Sequence, residues 1–384
     1  MALVFDCRPL SWTSREDQHL GVCRALRERG VKPVIVFPEI APALRQIYEE
    51  NGVIVEEANY NRGAMAYFRR MKSIIRQHHV DTVDIEFFSY FDPIGWMARL
   101  NGVRNIVFTE SNSGLMRARS WKAALLRARA GVVTAPVRRF VAISEFVRRQ
   151  MLVLGMAESR TRVVHKGIDL RRYQPDRGAR RRLAERYGIR DGEIVLGTVA
   201  IMRAFKHPEV ILEACAMLGR QGVPFRLFVA GNGELKPEME ALAARLGIAE
   251  RVIWLGYVQR PEEFIRGWDV FLLASEGEAF GFVLLEAMSC GVPVVAAASG
   301  AIPEVVDHGR TGFLTPVCDA AAMAEAIGVL AGDEAKRCAM GEAALQRVRE
   351  HFEVGRAVEK TMRVYESMWE GEFTAETQRT RRKP

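Results

Sequence analysis

The segment Ser275–Met288 reads Ser-Glu-Gly-Glu-Ala-Phe-Gly-Phe-Val-Leu-Leu-Glu-Ala-Met, and it decides the fold assignment. An apolar run within residues 269–274 precedes it, and a polar, glycine-bearing turn then continues into a helix-forming segment. This order predicts a strand that passes through a short loop into a helix. The first amides of a helix have no internal acceptor and lie at the positive end of the helix dipole. We therefore expect an anion site at Gly281, Phe282 and Val283.

Two carboxylates flank this junction. Glu278 lies before the predicted helix and Glu286, eight residues later, lies in its second turn. Carboxylates do not bind a phosphate, but they accept hydrogen bonds from hydroxyl groups on either side of one. A nucleotide sugar has this layout, with ribose hydroxyls, a diphosphate and sugar hydroxyls. From the spacing alone, an ordinary strand-to-helix turn with solvated glutamates stays open as the alternative.

Composition indicates a two-domain globular protein. The chain has 384 residues, 49% of them hydrophobic, which is enough for two cores. Six cysteines are scattered without close pairs, which favours reduced core residues in a cytoplasmic protein over a zinc site or a disulfide framework. No apolar run reaches the roughly 20 residues of a membrane span, and the N-terminus lacks a basic leader, so we expect a soluble chain.

Strands alternate with helices along both halves of the chain, which predicts an α/β fold with parallel sheets. We expect two Rossmann-like doubly wound domains that face a cleft. The predicted domains span residues 1–170 on the acceptor side and 171–352 on the donor side. Residues 353–371 are predicted to form a helix that returns to the first domain, and residues 372–384 a disordered basic tail.

Glycine-bearing loops follow three successive strands of the second half. They contain Gly231 and Gly233, then Gly256, and then the stretch from Glu278 to Gly281. Ligands of open parallel sheets lie at the carboxyl ends of the strands. Three such loops together are a stronger signal than a single pair of glycines, which is most often a plain turn.

Residues 193–316 resemble the donor-binding domain of GT-B glycosyltransferases, specifically glycosyltransferase family 4. The matching stretches are Gly197-Thr-Val-Ala-Ile-Met-Arg203-Ala-Phe-Lys206-His-Pro-Glu, Val229-Ala-Gly231-Asn-Gly233-Glu, Trp254-Leu-Gly256-Tyr-Val258, Glu278-Ala-Phe-Gly281-Phe-Val-Leu-Leu-Glu286-Ala-Met, Gly291-Val-Pro-Val-Val-Ala and Gly309-Arg-Thr-Gly312-Phe-Leu. The resemblance covers the first half only loosely. It implies the GT-B fold and transfer of a sugar with retention of anomeric configuration.

The resemblance also implies roles for individual residues. Arg203 and Lys206 would hold the donor diphosphate and offset charge on the leaving nucleotide. Glu278 would bind the transferred sugar and complete the catalytic set, while Glu286 would accept from the ribose. The remaining donor contacts would be Gly231, Gly233, Val258 at the nucleobase, and the backbone of Phe280, Gly281, Phe282 and Val283. No metal and no cofactor are implied besides the nucleotide sugar, and no general base is assigned.

The first half departs from the family pattern. Paired glycines usually follow the first strand, where this chain has Leu10–His19. Many members carry a histidine near the position of Thr109, where this chain reads Phe-Thr-Glu-Ser-Asn over residues 108–112. The candidates for this side of the site are therefore His19, Glu110 and Asn112.

Residues 113–150 are strongly basic, with nine Lys or Arg and one acidic residue, Glu145. Interleaved apolar residues allow one face of this segment to lie on anionic lipid headgroups. A solvated helix face is the alternative. We do not expect nucleic acid as a partner, because no binding motif accompanies the basic residues.

The sequence thus predicts a hexosyltransferase of polysaccharide or cell-envelope glycan synthesis, acting on a glycan or lipid-linked acceptor. It would be cytoplasmic, with a peripheral position on the inner membrane face as the alternative. Two rivals remain open: a nucleotide-sugar-binding GT-B protein without turnover, and a nucleotide-sugar epimerase or phosphorylase on the same fold.

Overall fold

A computed structural model describes residues 1–9, 11–60, 63–112 and 121–380, and the side chains of these except at 121–123 and 370–380. The chain divides into two compact units, Met1–Gly167 with Val354–Pro384, and Ile168–Glu353. Leu10 and residues 113–120 of the predicted basic segment lie outside the described residues.

Among its described residues, the first unit contains seven parallel strands: β1 (Ala2–Phe5), β2 (Val34–Phe37), β3 (Ile54–Glu57), β4 (Thr82–Glu86), β5 (Asn105–Glu110), β6 (Arg139–Ala142) and β7 (Thr161–Val163). Their order across the sheet is β3-β2-β1-β4-β5-β6-β7. The connecting helices are α1 (Ser14–Glu28), α2 (Pro42–Glu50), α3 (Ala64–Gln77), α4 (Ile94–Leu100), α5 (Trp121–Val133) and α6 (Glu145–Val153).

The second unit contains six parallel strands: β8 (Ile194–Val199), β9 (Phe225–Ala230), β10 (Val252–Gly256), β11 (Val270–Leu273), β12 (Val294–Ala297) and β13 (Gly312–Thr315), in the order β10-β9-β8-β11-β12-β13. Its helices are α7 (Ala179–Tyr187), α8 (Pro208–Arg220), α9 (Lys236–Arg245), α10 (Glu262–Ile265), α11 (Phe282–Ser289), α12 (Ile302–Val305), α13 (Ala320–Gly332) and α14 (Glu334–His351).

Parallel sheets are normally buried on both faces, so their strands are mostly apolar. In the second unit, β11 is fully buried as Val-Phe-Leu-Leu. In the first unit, β4 is equally buried but reads Thr-Val-Asp-Ile-Glu, so it carries two carboxylates into the interior. Buried charges are costly unless they are paired, so these two carboxylates need partners in the interior.

The strand order reverses at one point in each sheet. In the first unit this point lies between β1 and β4, and in the second between β8 and β11. Crossover connections leave on opposite faces at such a point and open a crevice at the carboxyl ends of the strands. The fold therefore singles out the loops after β1, β4, β8 and β11 as candidate sites.

The last helix, α15 (Val354–Thr380), belongs to the first unit and packs on α1, with Met362 and Tyr365 in the same core as Leu20. It continues to Thr380, so the predicted disordered tail from residue 372 is corrected over residues 372–380. The stretch 372–380 contains no proline or glycine, so nothing in it stops the helix. Within the described residues, no helix is both long enough and apolar enough to cross a bilayer.

The units divide between Gly167 and Ile168 and between Glu353 and Val354. The sequence placed these divisions after residues 170 and 352. Helix α7 therefore belongs to the second unit.

Candidate active site

An ion pair joins the two loops at the strand reversal of the second unit. Lys206 follows β8 and Glu278 follows β11, and Lys206 Nζ lies 2.7 Å from Glu278 Oε2. Both side chains are mostly buried, with 17% and 18% of their surface exposed. The fold thus brings together two of the three predicted catalytic residues, which lie 72 positions apart in sequence.

Backbone hydrogen bonds fix the loop that carries Glu278. The amide of Gly277 donates to Ser299 Oγ at 2.7 Å, and the amide of Ala301 donates to the Glu278 carbonyl at 2.8 Å. Gly300 lies so close that a Cβ atom there would be 2.1 Å from the Glu278 carbonyl oxygen. The turn at residues 299–301 therefore sets the position of the Glu278 backbone.

Helix α11 begins directly after this loop. Gly281 is its N-cap, with φ 91°, a left-handed conformation that glycine adopts without strain. Phe280 is buried against Phe282 and Phe352, whereas Phe282 and Val283 are half-buried. The first-turn amides have no preceding helical carbonyl to bond, so they remain suited to an anion.

Glu286 lies in the second turn of α11, with 6% of its surface exposed. Glu278 and Glu286 therefore occupy the loop before the helix and the body of the helix, as the sequence predicted. Their roles toward sugar and ribose stay predictions.

The two loop glycines have a structural reason of their own. A Cβ atom at Gly231 would lie 1.9 Å from the Ala200 carbonyl oxygen, and one at Gly233 would lie 2.3 Å from that of Met202. Close packing of the loops after β8 and β9 therefore requires glycine at both positions. Arg203 is exposed and Val258 half-buried, and their contacts to a donor stay predictions.

A second cluster lies at the strand reversal of the first unit. Glu86, the last residue of β4, accepts hydrogen bonds from Lys166 Nζ at 2.9 Å and from Ser111 Oγ. Burial alone would raise the pKa of Glu86, but the Lys166 ammonium and His19 outweigh burial and hold it below its usual value. The pair is almost wholly buried, with 6% exposure on both side chains.

The structure places His19 inside this cluster. The residue is 4% exposed, its ring packs at a tilt of 34° against Phe5 with 4.3 Å between ring centroids, and its Nε2 lies 3.4 Å from Glu86 Oε2. Burial lowers the pKa of His19, although Glu86 opposes this. The ring is placed to orient that carboxylate, and a contact of His19 with the donor stays a prediction.

Asp84 is the second buried carboxylate of β4. It accepts hydrogen bonds from Thr109 Oγ1 at 2.8 Å and from Tyr365 OH at 2.5 Å. Burial raises the pKa of Asp84 to about 6. A cavity of about 30 Å³ is lined by Asp84, Glu86, His19 and Tyr365, among others, and that volume can hold an ordered water molecule.

Glu110 ends β5 beside this cluster. It is 5% exposed and accepts a hydrogen bond from the Asn112 amide at 2.7 Å. Burial raises the pKa of Glu110 to about 7, although the hydrogen bond from Tyr90 lowers it in part. Asn112 itself is exposed. The structure thus brings His19 close to Glu86 and Asp84, with Glu110 and Asn112 on the neighbouring strand end.

Sequence reasoning missed the pair Glu86–Lys166 and the contact of Asp84 with Tyr365. The signal was present, because two carboxylates two residues apart in an apolar strand must face partners in the interior. Among the described residues, no group of three or more His, Cys, Asp or Glu side chains could hold a metal ion.

Comparison with known families identifies the chain. The model described as "Glycosyltransferase Family 4" matches residues 20–172, and that described as "Glycosyl transferases group 1" matches residues 179–347. A GDP-mannose-dependent alpha-(1-6)-phosphatidylinositol monomannoside mannosyltransferase from Mycolicibacterium smegmatis is 30% identical over 285 residues, 71% of this chain and 73% of that enzyme. The chain belongs to the GT-B glycosyltransferases.

The chain also resembles a further enzyme in sequence and a solved structure in fold. The N-acetyl-alpha-D-glucosaminyl L-malate synthase of Bacillus anthracis is 36% identical to this GT-B chain over 183 residues, 48% of each protein, so the match spans about half of that enzyme. The structure of Anabaena Alr3699/HepE in complex with UDP and glucose superposes with a TM-score of 0.80, covering 95% of this chain and 99% of that one. At 19% identity, this likeness shows the fold alone.

Proposed function

We propose that this GT-B chain transfers a hexose from a nucleotide-diphosphate sugar to a glycan or lipid-linked acceptor, with retention of anomeric configuration. The observation that carries the proposal is the Lys206–Glu278 pair, 2.7 Å apart at the strand reversal and one short loop from the start of α11. The cation and the free helix amides suit a diphosphate, and the carboxylate suits the hydroxyls of a sugar joined to it.

The proposed roles follow from this chemistry. Lys206 and Arg203 bind the diphosphate, and Glu278 accepts hydrogen bonds from the sugar. The bond between the anomeric carbon and the phosphate oxygen breaks, and the acceptor oxygen bonds to the same face of that carbon. The acceptor proton passes to the departing phosphate. Fixed cations offset the charge that develops on the leaving group, which is commonly the largest catalytic contribution.

The relatives support a nucleotide sugar as donor, because the mycobacterial mannosyltransferase is GDP-mannose-dependent and the HepE structure contains UDP and glucose. We extend the proposal to glycan synthesis in the cytoplasm.

Nucleotide release tests the proposal. The protein is incubated with a panel of nucleotide sugars, with and without candidate acceptors, and free nucleotide is measured. We expect acceptor-dependent release that Glu278→Ala and Lys206→Ala remove. Lys360→Ala, on an exposed position of α15, is the matched control that keeps wild-type release. Nucleotide-sugar binding without release across the panel would favour a non-catalytic protein. Release that depends on inorganic phosphate would favour a phosphorylase, and conversion of the donor sugar into its epimer would favour an epimerase.

We also propose that the described part of the basic segment contacts anionic lipid. On α5, Leu125 and Val132 are 66% and 67% exposed, next to exposed Arg127 and Arg129. Trp96 of α4, 39% exposed, donates from Nε1 to the Val132 carbonyl at 2.8 Å, so apolar groups of two helices lie together. Exposed apolar side chains among arginines are typical of interfacial helices.

Vesicle binding tests this surface. We expect sedimentation with vesicles of phosphatidylglycerol and phosphatidylcholine at low salt, weaker binding at high salt, and loss in Leu125→Ser/Val132→Ser. Absence of binding to these vesicles at low salt would instead indicate a solvated helix face.

A further inference from the structure

His207 has a backbone conformation that residues with a side chain seldom adopt. Its φ of 45° and ψ of 52° lie in the left-handed region, where the Cβ atom is crowded. His207 is the N-cap of α8, yet its side chain makes no capping hydrogen bond. Capping therefore does not explain the side chain, and such outliers are common at functional sites.

The imidazole of His207 joins three segments of the second unit. Its Nδ1 lies 2.9 Å from Glu209 Oε1 on α8, and its Nε2 lies 3.5 Å from Glu276 Oε2 in the loop after β11. Cys318 Sγ, from the turn after β13, lies 3.6 Å from Nδ1. Cys318 also has a positive φ, of 60°. Two unusual backbone positions, 111 residues apart in sequence, thus meet at one ring.

The contact between His207 and Glu276 joins the same two loops as the Lys206–Glu278 pair. His207 follows Lys206, and Glu276 precedes Glu278 by two residues. The backbone also connects these two loops, because the Glu276 amide donates to the Phe205 carbonyl at 2.8 Å. The ring and this hydrogen bond therefore hold the same two loops together.

We propose that His207 is a positioning residue that fixes the Lys206 loop on the Glu278 loop through Glu276, an inference that rests on the proposed function. For the donor to bind, Lys206 exchanges Glu278 for phosphate, and Glu278 turns to the sugar. While the ion pair is open, other contacts must keep the two backbones in place. The His207–Glu276 contact does so, which keeps both side chains within reach of the donor.

His207→Gly tests the inference, with His79→Gly as the matched control. His79 has a similar φ of 49° and is exposed after α3 in the first unit. Glycine relieves the same backbone strain at both positions. We expect neither variant to lower the Tm. His207→Gly should raise the Kd for the nucleotide sugar about tenfold, whereas His79→Gly leaves it at the wild-type value.

A double-mutant cycle separates positioning from an independent role. If His207 acts through Lys206, His207→Gly has little further effect on donor Kd in a Lys206→Ala background, and Glu276→Gln retains more affinity than Glu276→Ala. An unchanged Kd in His207→Gly, or the same tenfold loss in both backgrounds, overturns the inference while the proposed function stands. A wild-type protein that binds no nucleotide sugar overturns both.

Discussion

Lys166 Nζ lies 2.9 Å from Glu86 Oε1 inside the first unit, although 80 residues separate the two in sequence. Lys166 follows β7 and Glu86 ends β4, so the pair ties separate strand ends at the carboxyl edge of one sheet. The second unit has its counterpart in Lys206 and Glu278, which are less buried. Each Rossmann-like unit thus carries a lysine–glutamate pair at its carboxyl edge.

Removal of Lys166 should destabilise the first unit strongly. Lys166→Met leaves the Glu86 carboxylate buried without its cation, and breaking such a pair costs about 3–5 kcal/mol. Urea unfolding measures the loss. The double variant Lys166→Met/Glu86→Gln should recover most of it, because no unpaired charge remains. Equal losses in the single and double variants would contradict this account.

Asp84 should make stability depend on pH. Because its pKa is raised from 3.8 to about 6, the folded state binds more protons than the unfolded state between these values. The free energy of unfolding therefore falls as pH rises through this window. Above the window, Asp84 is ionised in both states and its contribution no longer changes with pH. Asp84→Asn cannot ionise, so it should be more stable than wild type at pH 7, by at most about 3 kcal/mol.

Chemical unfolding from pH 4 to pH 7 checks the Asp84 prediction as the difference between wild type and Asp84→Asn. Glu86 and Glu110 titrate in both proteins, so their contributions largely cancel. Thr109 and Tyr365 retain a polar partner in the variant. Parallel curves for the two proteins would show that burial does not raise the Asp84 pKa.

Gly300→Ala should displace the Glu278 loop. The new Cβ would meet the Glu278 carbonyl oxygen at 2.1 Å, and φ is 60°. We expect at least a tenfold loss of donor affinity. Gly309→Ala is the control, because its φ is 80° and no atom lies within 4 Å of the added Cβ. Gly309→Ala should lower the free energy of unfolding by only about 1–2 kcal/mol, which is the cost of a left-handed backbone for a residue with a Cβ atom. Equal donor affinity in Gly300→Ala and Gly309→Ala would show that the position of the Glu278 loop does not affect donor binding.

The sequence predicted the order of strands and helices because apolar runs and helical periodicity are local properties. It also predicted the loop and helix positions of Glu278 and Glu286, which depend on one strand–helix junction. The partners of buried charges could not be predicted in this way. Lys166 reaches Glu86, and Tyr365 reaches Asp84, only once the sheet order and the packing of α15 are known.

Glycine positions show the same limit. Gly231 and Gly233 were predicted to contact the donor, which stays a prediction, and each also lies against the backbone of the loop after β8. A glycine required by a neighbouring backbone and one required by a ligand look alike in sequence. The distances from Ala200 and Met202 show that the neighbouring backbone alone requires both glycines.

The proposed roles of Lys206 toward the diphosphate and of Glu278 toward the sugar are tested most directly by calorimetric titration. The two ligands are a nucleoside diphosphate and the matching nucleotide sugar. Lys206→Ala should bind both ligands at least tenfold more weakly, because it lacks the cation for the diphosphate. Glu278→Ala should bind the nucleoside diphosphate at least as tightly as wild type, since Lys206 is released from its ion pair, but lose affinity for the nucleotide sugar. Wild-type affinity of both variants for both ligands would contradict the assignment of this pair as the donor site.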